Sequence, residues 1–315
     1  MNENNQRILV TGGAGYLGST LTPALLRQGY RVTVLDNLMF GQASLLDCCA
    51  NPAFEFVKGD ICDQALMNRL LPKHDIVIPL AAIVGAPACK RNPALTKLVN
   101  FDAYMSLVEA LSEDQKVLFP TTNSGYGIGE KDAFCTELSP LRPLSEYGKT
   151  KVEVEKAFLE KGNAVTFRLA TVFGMSPRMR MDLLVNDFVY RAINDRVLVL
   201  FEEHFRRNYI HVRDVANAFL FGIERFEIMR GEPYNVGLSS ANLTKRQLAE
   251  VIRNHVTELY ISAAAVGEDP DKRDYVVSNE KIESLGWKAA QSLDAGIQEL
   301  IKGYQIVRPN IFANI

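Results

Sequence analysis

Ile8-Leu-Val-Thr-Gly-Gly-Ala-Gly-Tyr-Leu-Gly18 decides the fold: an apolar, β-branched run enters a glycine turn directly and leaves it as an amphipathic stretch over Tyr16–Gln28. Strand, turn and helix in that order form a cradle for a pyrophosphate. Gly12 permits the tight turn, Gly15 lets backbone approach a phosphate, and Gly18 lets the helix close on the strand. The helix start, with Tyr16 and Leu17, offers free N–H groups and the positive end of a dipole. A second apolar run, Val32–Leu35, ends in Asp36 and Asn37, about twenty residues beyond the turn. A carboxylate there accepts from both hydroxyls of an adenosine ribose and repels a 2′-phosphate, so the expected cofactor is NAD rather than NADP.

Outward from that segment, short β-branched runs alternate with amphipathic ones. Phe54–Val57, Ile76–Ala81, Val117–Thr121 and Val165–Leu169 read as strands, whereas Gln64–Leu71, Ala94–Leu111 and Glu146–Glu160 read as helices. The class this predicts is α/β, a Rossmann doubly wound parallel sheet. After about Ala170 the alternation loosens, with a helix expected near Leu183–Asn194 and a Pro/Gly-punctuated tail. We expect residues 1–170 to form the NAD-binding domain, residues 207–236 to pack back on it, and the remainder of 171–315 to form a smaller mixed substrate domain. Asp60 and Ile61 follow the third strand and Ala81 the fourth; they are further candidate cofactor contacts, although Asp60 also reads as a turn residue.

At 315 residues the chain is long enough to bury a large core without metal or disulfide. With 35 basic against 37 acidic residues, it carries no charge excess that would favour nucleic acid or an anionic membrane. The five cysteines fit neither a disulfide framework nor a zinc pattern, and no metal is expected. A polar N-terminus and the lack of long apolar runs give the expectation of a cytoplasmic protein.

Tyr147-Gly-Lys-Thr-Lys151 opens a helical stretch, and its i, i+4 spacing puts the phenol and the ammonium on one face. Tyr147 is expected to exchange a proton with a hydroxyl while Lys151 lowers its pKa and also binds the nicotinamide ribose. Val117-Leu-Phe-Pro-Thr-Thr122 ends in a hydroxyl residue suited to a third hydrogen bond.

Taken with Asn208-Tyr-Ile-His-Val-Arg-Asp214, these motifs resemble the extended short-chain dehydrogenase/reductases, in the sugar-nucleotide epimerase/dehydratase branch, from Arg7 to about Trp287. The resemblance implies a catalytic set of Thr122, Tyr147 and Lys151, a cofactor contact at Asn100, and a nucleotide-sugar substrate. It implies that Arg207 and Arg273 hold the substrate diphosphate, a task suited to guanidinium forks; the alternative for each is a surface charge. Asn123, Ser124, Thr171, Arg178, Arg180 and Asn186 complete the candidate substrate contacts, although Arg178, Arg180 and Asn186 equally read as a solvated basic turn and an ordinary helix. Asn123 and Ser124 stand where the branch's 4,6-dehydratases carry an acidic pair, and Ser124 where its C3/C5 epimerases carry Cys. Neither residue is a base at neutral pH, so oxidation at C4 remains, as net dehydrogenation or as the first half of a 4-epimerisation. Segments such as Val84–Pro93 and Phe201–Arg207 resemble the GDP-heptose 4-dehydrogenase type of bacterial capsule pathways. A GDP-linked substrate and a homodimer, paired through Ala94–Leu111 and Glu146–Glu160, are therefore expected. A non-catalytic NAD-binding scaffold is the reading from a different class.

Overall fold

The computed structural model describes residues 5–41, 43–130, 133–264 and 273–307. The outer ends of the expected domain limits, and residues 267–272 of a segment similar to the 4-dehydrogenase type, lie outside the described residues.

Seven strands, β1 (Arg7–Thr11), β2 (Arg31–Asp36), β3 (Phe54–Lys58), β4 (Ile76–Pro79), β5 (Lys116–Thr122), β7 (Ala164–Leu169) and β11 (Pro233–Val236), form one sheet. All its pairings are parallel, in the order β11-β7-β5-β4-β1-β2-β3. The chain winds outward to β3 and then returns past β1 to β4. That reversal leaves a crevice beyond the carboxyl ends of β1 and β4, where sheets of this kind hold ligands.

Strands buried on both faces explain the continuous apolar runs: Ile8, Leu9 and Val10 are fully buried, as are Ile76, Val77 and Ile78. Helices Gly18–Arg27 and Val212–Glu224 cover one face through Leu21, Leu25, Val215 and Phe219. Helices Gln64–Leu70, Ala103–Ala110 and Glu146–Lys161 cover the other through Met67, Leu107, Val154 and Phe158.

A second core lies around Phe188, Val189, Leu248, Ile252 and Ile297, between helices Leu184–Asn194, Lys245–Arg253 and Leu293–Gly303. Beside it, β8 (Thr171–Phe173), β10 (Arg206–His211) and β12 (Asn242–Thr244) form a three-stranded sheet. Two smaller parallel pairs, β9 (Val197–Leu200) with β13 (Tyr260–Ala263) and β6 (Phe134–Cys135) with β14 (Val276–Val277), complete this lobe.

Two expected elements differ. β4 stops at Pro79, although Leu80 N–H still donates to the Thr11 carbonyl. The single helix expected over Ala94–Leu111 is broken: Pro93–Lys97 passes through a π-turn at Leu98–Asp102 before Ala103–Ala110 resumes. Such bulges tend to occur where a side chain has another task, and here the turn carries Asn100.

Candidate functional site

A cleft of about 420 Å³ runs over the carboxyl ends of the main sheet, walled by the glycine turn, the loops after β2, β3 and β4, the end of β5, Tyr147 and Lys151. At one end, Gly12 adopts φ +70°, and a Cβ there would lie 2.6 Å from the Ala81 backbone. A Cβ on Gly18 would lie 2.5 Å from Gly13, so strand and helix meet with no room for a side chain. The Asp36 carboxylate accepts from Ala14 N–H at 2.9 Å and from Leu38 N–H at 2.8 Å, bracing the glycine turn against its own loop. Asp60 accepts from Asn37 Nδ2 at 2.9 Å and from Cys62 N–H at 2.9 Å. Gly15, Tyr16, Leu17, Asn37, Asp60, Ile61 and Ala81 all line this end.

Asn100 has a different place. Its Oδ1 accepts from Ile83 N–H and its Nδ2 donates to the Ile83 carbonyl, both at 2.8 Å, and it does not line the cleft. The expectation of a cofactor contact is corrected: a side chain 1 % exposed with both amide ends engaged shapes the loop that carries Ile83 and Val84.

At the other end, Thr122 closes β5 and caps the short turn Asn123–Tyr126. The helix bearing Tyr147 and Lys151 starts at Ser145, whose hydroxyl accepts from Gly148 N–H at 3.1 Å. Lys151 Nζ donates to the Pro120 carbonyl at 3.3 Å and sits 4.6 Å from the Phe119 ring centroid and 5.3 Å from that of Tyr104. Burial pushes this ammonium down to about 7.

Tyr147 is half-buried in the cleft wall, and burial pushes its hydroxyl up to about 12 against the pull of Arg180 and Arg273. The expectation that Lys151 lowers this phenol is corrected accordingly. Desolvation dominates, and the cations acting on Tyr147 are the two arginines.

Ser124, Thr171, Arg178, Arg180 and Arg273 line the cleft. Arg180 is paired with Asp182, its Nε 3.2 Å from Oδ1. Arg178 sits 4.0 Å from the Phe40 ring centroid, and its N–H donates to Ser19 Oγ at 3.2 Å, which sets it against the dinucleotide half.

Asn123, Asn186 and Arg207 stand behind the wall rather than in it. Asn123 is fully buried inside its turn. Asn186 accepts from Gly174 N–H at 3.0 Å and donates to the Arg180 carbonyl at 2.8 Å, tying down the loop that presents Arg180. Arg207 lies on β10, donates to the Arg206 carbonyl at 2.9 Å, and packs 5.6 Å from the Tyr275 ring. None of these three expected substrate contacts lines the cleft: Asn186 is engaged with the backbone around it, Asn123 is buried with neither end of its amide hydrogen-bonded among the described residues, and Arg207 is buried on β10.

Sequence reasoning missed Ser176 and Phe40. Ser176 Oγ donates to the Tyr16 carbonyl at 2.6 Å and meets Ser19 Oγ at 2.9 Å, sewing the glycine turn to the second lobe. More than 150 residues separate these partners, and no local pattern marks such a pairing.

The glycine cradle, the acid closing β2 and the buried Lys151 fit a bound NAD. The sequence model of the NAD dependent epimerase/dehydratase family matches residues 8–237. A mouse dTDP-D-glucose 4,6-dehydratase is 29% identical over 323 residues, covering 95% of this chain and 89% of its own. A putative UDP-glucose 4-epimerase of Methanocaldococcus jannaschii is 26% identical, covering 93% of this chain and 97% of its own. The crystal structure of the Thermotoga maritima UDP-glucose 4-epimerase with UDP-glucose superposes with a TM-score of 0.83 at 26% identity, covering 95% of this chain and 99% of that one. Strand order, cleft and sequence agree: the chain belongs to the NAD dependent epimerase/dehydratase family, with NAD as its cofactor.

Proposed function

We propose that this chain oxidises the C4 hydroxyl of a nucleotide-activated sugar to the 4-keto sugar, with a GDP-linked heptose as substrate and a homodimer as the working form. The observation that carries the reading is the composition of the wall beyond β5. Thr122 and Ser124 face the cleft there, and the turn Asn123–Tyr126 contains no carboxylate. Eliminating water across C5 and C6 needs an acid and a base at that wall, and neither hydroxyls nor an amide titrate at neutral pH. Oxidation at C4 needs one proton acceptor, Tyr147, a hydroxyl donor, and a hydride acceptor, which NAD supplies when bound.

In that reaction Tyr147 takes the C4 hydroxyl proton as phenolate, with Arg180 and Arg273 favouring the charged form. Lys151, Asp36 and the glycine turn hold the cofactor. The GDP and heptose assignment is supported by the segments similar to the 4-dehydrogenase type. The dimer reading is supported by helices Ala103–Ala110 and Glu146–Lys161 packing side by side. A 4-epimerase is the second reading, favoured by the likeness to UDP-glucose 4-epimerases; it uses the same groups and returns the hydride to the opposite face.

The test is incubation with GDP-, UDP-, CDP- and dTDP-sugars, GDP-heptose included, in deuterated water, followed by mass spectrometry and NMR. The reading predicts loss of two hydrogens, or a hydrated 4-ketone. An unchanged mass with inverted C4 makes the epimerase correct, and loss of water makes both wrong.

A further inference from the structure

We infer that Arg168, Glu155 and Tyr126 form a buried clamp that sets the sugar-side wall, the turn Asn123–Tyr126, against the helix carrying Tyr147 and Lys151. The inference rests on the C4 oxidation proposed above and adds positioning residues to it, since none of the three lines the cleft.

Tyr147, Lys151 and Glu155 follow one another at i, i+4 and i+8 on helix Glu146–Lys161, so they share a face. The first two reach the cleft, whereas Glu155, one turn further on, is 2 % exposed and meets β7. Its Oε1 accepts from Thr166 Oγ1 at 2.9 Å and from Arg168 Nε at 3.1 Å, and Oε2 accepts from the same Nε at 3.2 Å. Thr166 and Arg168 stand two apart on β7, so both point to the face that the helix covers.

Arg168 Nη1 donates onward to Tyr126 Oη at 3.2 Å and to the Glu137 carbonyl at 3.0 Å. A guanidinium can only donate, so the phenol oxygen is the acceptor in that contact. Tyr126 in turn donates to Asn235 Oδ1 at 2.7 Å, and Asn235 is the register partner of Arg168 across β7 and β11. The Tyr126 ring also packs 6.3 Å from that of Tyr275, two residues beyond Arg273. Tyr126, Glu155, Arg168 and Asn235 are all buried. Three parts of the cleft that lie far apart along the chain are thus fixed to one another from behind.

Stability alone does not account for the ion pair. Removing two charges from water costs about as much as their attraction returns, and apolar residues of similar size often hold a fold as well. What the pair adds is direction, because a guanidinium is a rigid plane with its donors in a fixed fork. Here the fork points to the helix on one side and to the wall turn on the other. Oxidation at C4 requires the sugar to sit squarely between that turn and Tyr147, and a misplacement of about 1 Å costs about 100-fold in rate.

The experiment compares NAD-loaded Glu155→Leu/Arg168→Met, Arg168→Lys and Tyr126→Phe with the wild type. The double variant removes both charges together, because Arg168→Met alone leaves a buried carboxylate without its partner. Melting temperature, NAD content, kcat and KM for the sugar that the wild type oxidises are measured, together with amide hydrogen exchange by mass spectrometry. We expect the double variant to keep its NAD and melt within a few degrees of the wild type. Its kcat should fall about 100-fold with KM little changed. Arg168→Lys, which keeps a charge for Glu155 but loses the fork, should lower kcat about tenfold. Tyr126→Phe should cost about as much, and markedly less in the double-variant background, as expected of groups acting through one another. In all three, exchange in the peptide over Asn123–Tyr126 should rise, while the pH at which kcat is half-maximal stays put, because the clamp sets distance rather than charge. A double variant that turns over at the wild-type rate overturns the inference, as does unchanged exchange in that peptide. A loss of kcat matched by lost NAD or a lower melting temperature overturns it too, reducing the clamp to a stabiliser of the fold. A wild type that oxidises no nucleotide sugar contradicts instead the function on which the inference rests, and the exchange measurement then decides the clamp by itself.

Discussion

At the dinucleotide end of the cleft one continuous segment, from β1 through the glycine turn and helix Gly18–Arg27 to Asp36, supplies strand, turn, helix and acid. At the sugar end Thr122, Tyr147, Thr171, Arg180 and Arg273 arrive from separate parts of the chain, and two of them belong to loops of the second lobe. The first end is held by backbone: close approaches at Gly12 and Gly18 and backbone N–H groups on Asp36. The second is held by side chains on side chains, among them Arg180 on Asp182 and Arg273 on Ser124. Backbone geometry tolerates little and varies little. Side-chain walls can be changed one residue at a time, and that is where a family distinguishes its substrates.

The largest expected effect separates the two ends outright. Tyr147→Phe should reduce turnover by about a thousandfold while NAD binding, measured by fluorescence titration, stays within a few-fold of wild type. Loss of NAD binding instead would mean that the two ends are not independent.

Lys151 joins them, and its replacement should act on stability in the unusual direction. Its folded pKa is about 7 against 10.5 for the free side chain, so between those values the unfolded chain binds a proton that the fold does not. Stability therefore rises with pH across that window, and at pH 7 and below the buried charge carries its full penalty. Lys151→Met should abolish most activity yet raise the melting temperature at pH 6, with a smaller gain at pH 9. A lower melting temperature at both would show that the ammonium holds the fold together.

Gly12→Ala tests the backbone end. An L side chain at φ +70°, 2.6 Å from Ala81, costs about 3 kcal/mol and should lower the melting temperature by several degrees and weaken NAD. A near-neutral result would mean that the turn and the loop after β4 are not in close contact.

The smallest effect is at Asp36→Asn. The amide keeps one acceptor for the loop but loses the charge, so affinity for NAD should fall about tenfold and the margin over NADP should narrow. An unchanged margin would remove Asp36 as the cofactor discriminator.

Legibility followed the same division. The run Ile8–Gly18 and Asp36 could be read because their geometry is local: each residue's role is set by neighbours a few positions away. Tyr147 and Lys151 were legible because one helical turn relates them. Asn100, Asn186 and Arg207 were misplaced because a motif gives a position along the chain, not the direction of a side chain. Asn100 turns to Ile83 and Asn186 to Gly174 through contacts that exist only once the lobes have packed. The break in the helix over Leu98–Asp102 was hidden for the same reason, since the apolar pattern continues through it. Burial at Tyr147 is likewise a property of the closed cleft, and it reversed the expected direction of its pKa.

The central claim, net oxidation at C4, is tested most directly by mixing NAD-loaded protein with an equal amount of GDP-heptose, without any other electron acceptor, and following the absorbance of reduced nicotinamide. The account predicts a rise that persists, steepening as pH is raised because more of Tyr147 is then phenolate. A transient that decays to baseline while the sugar returns with inverted C4 would contradict it and identify an epimerase.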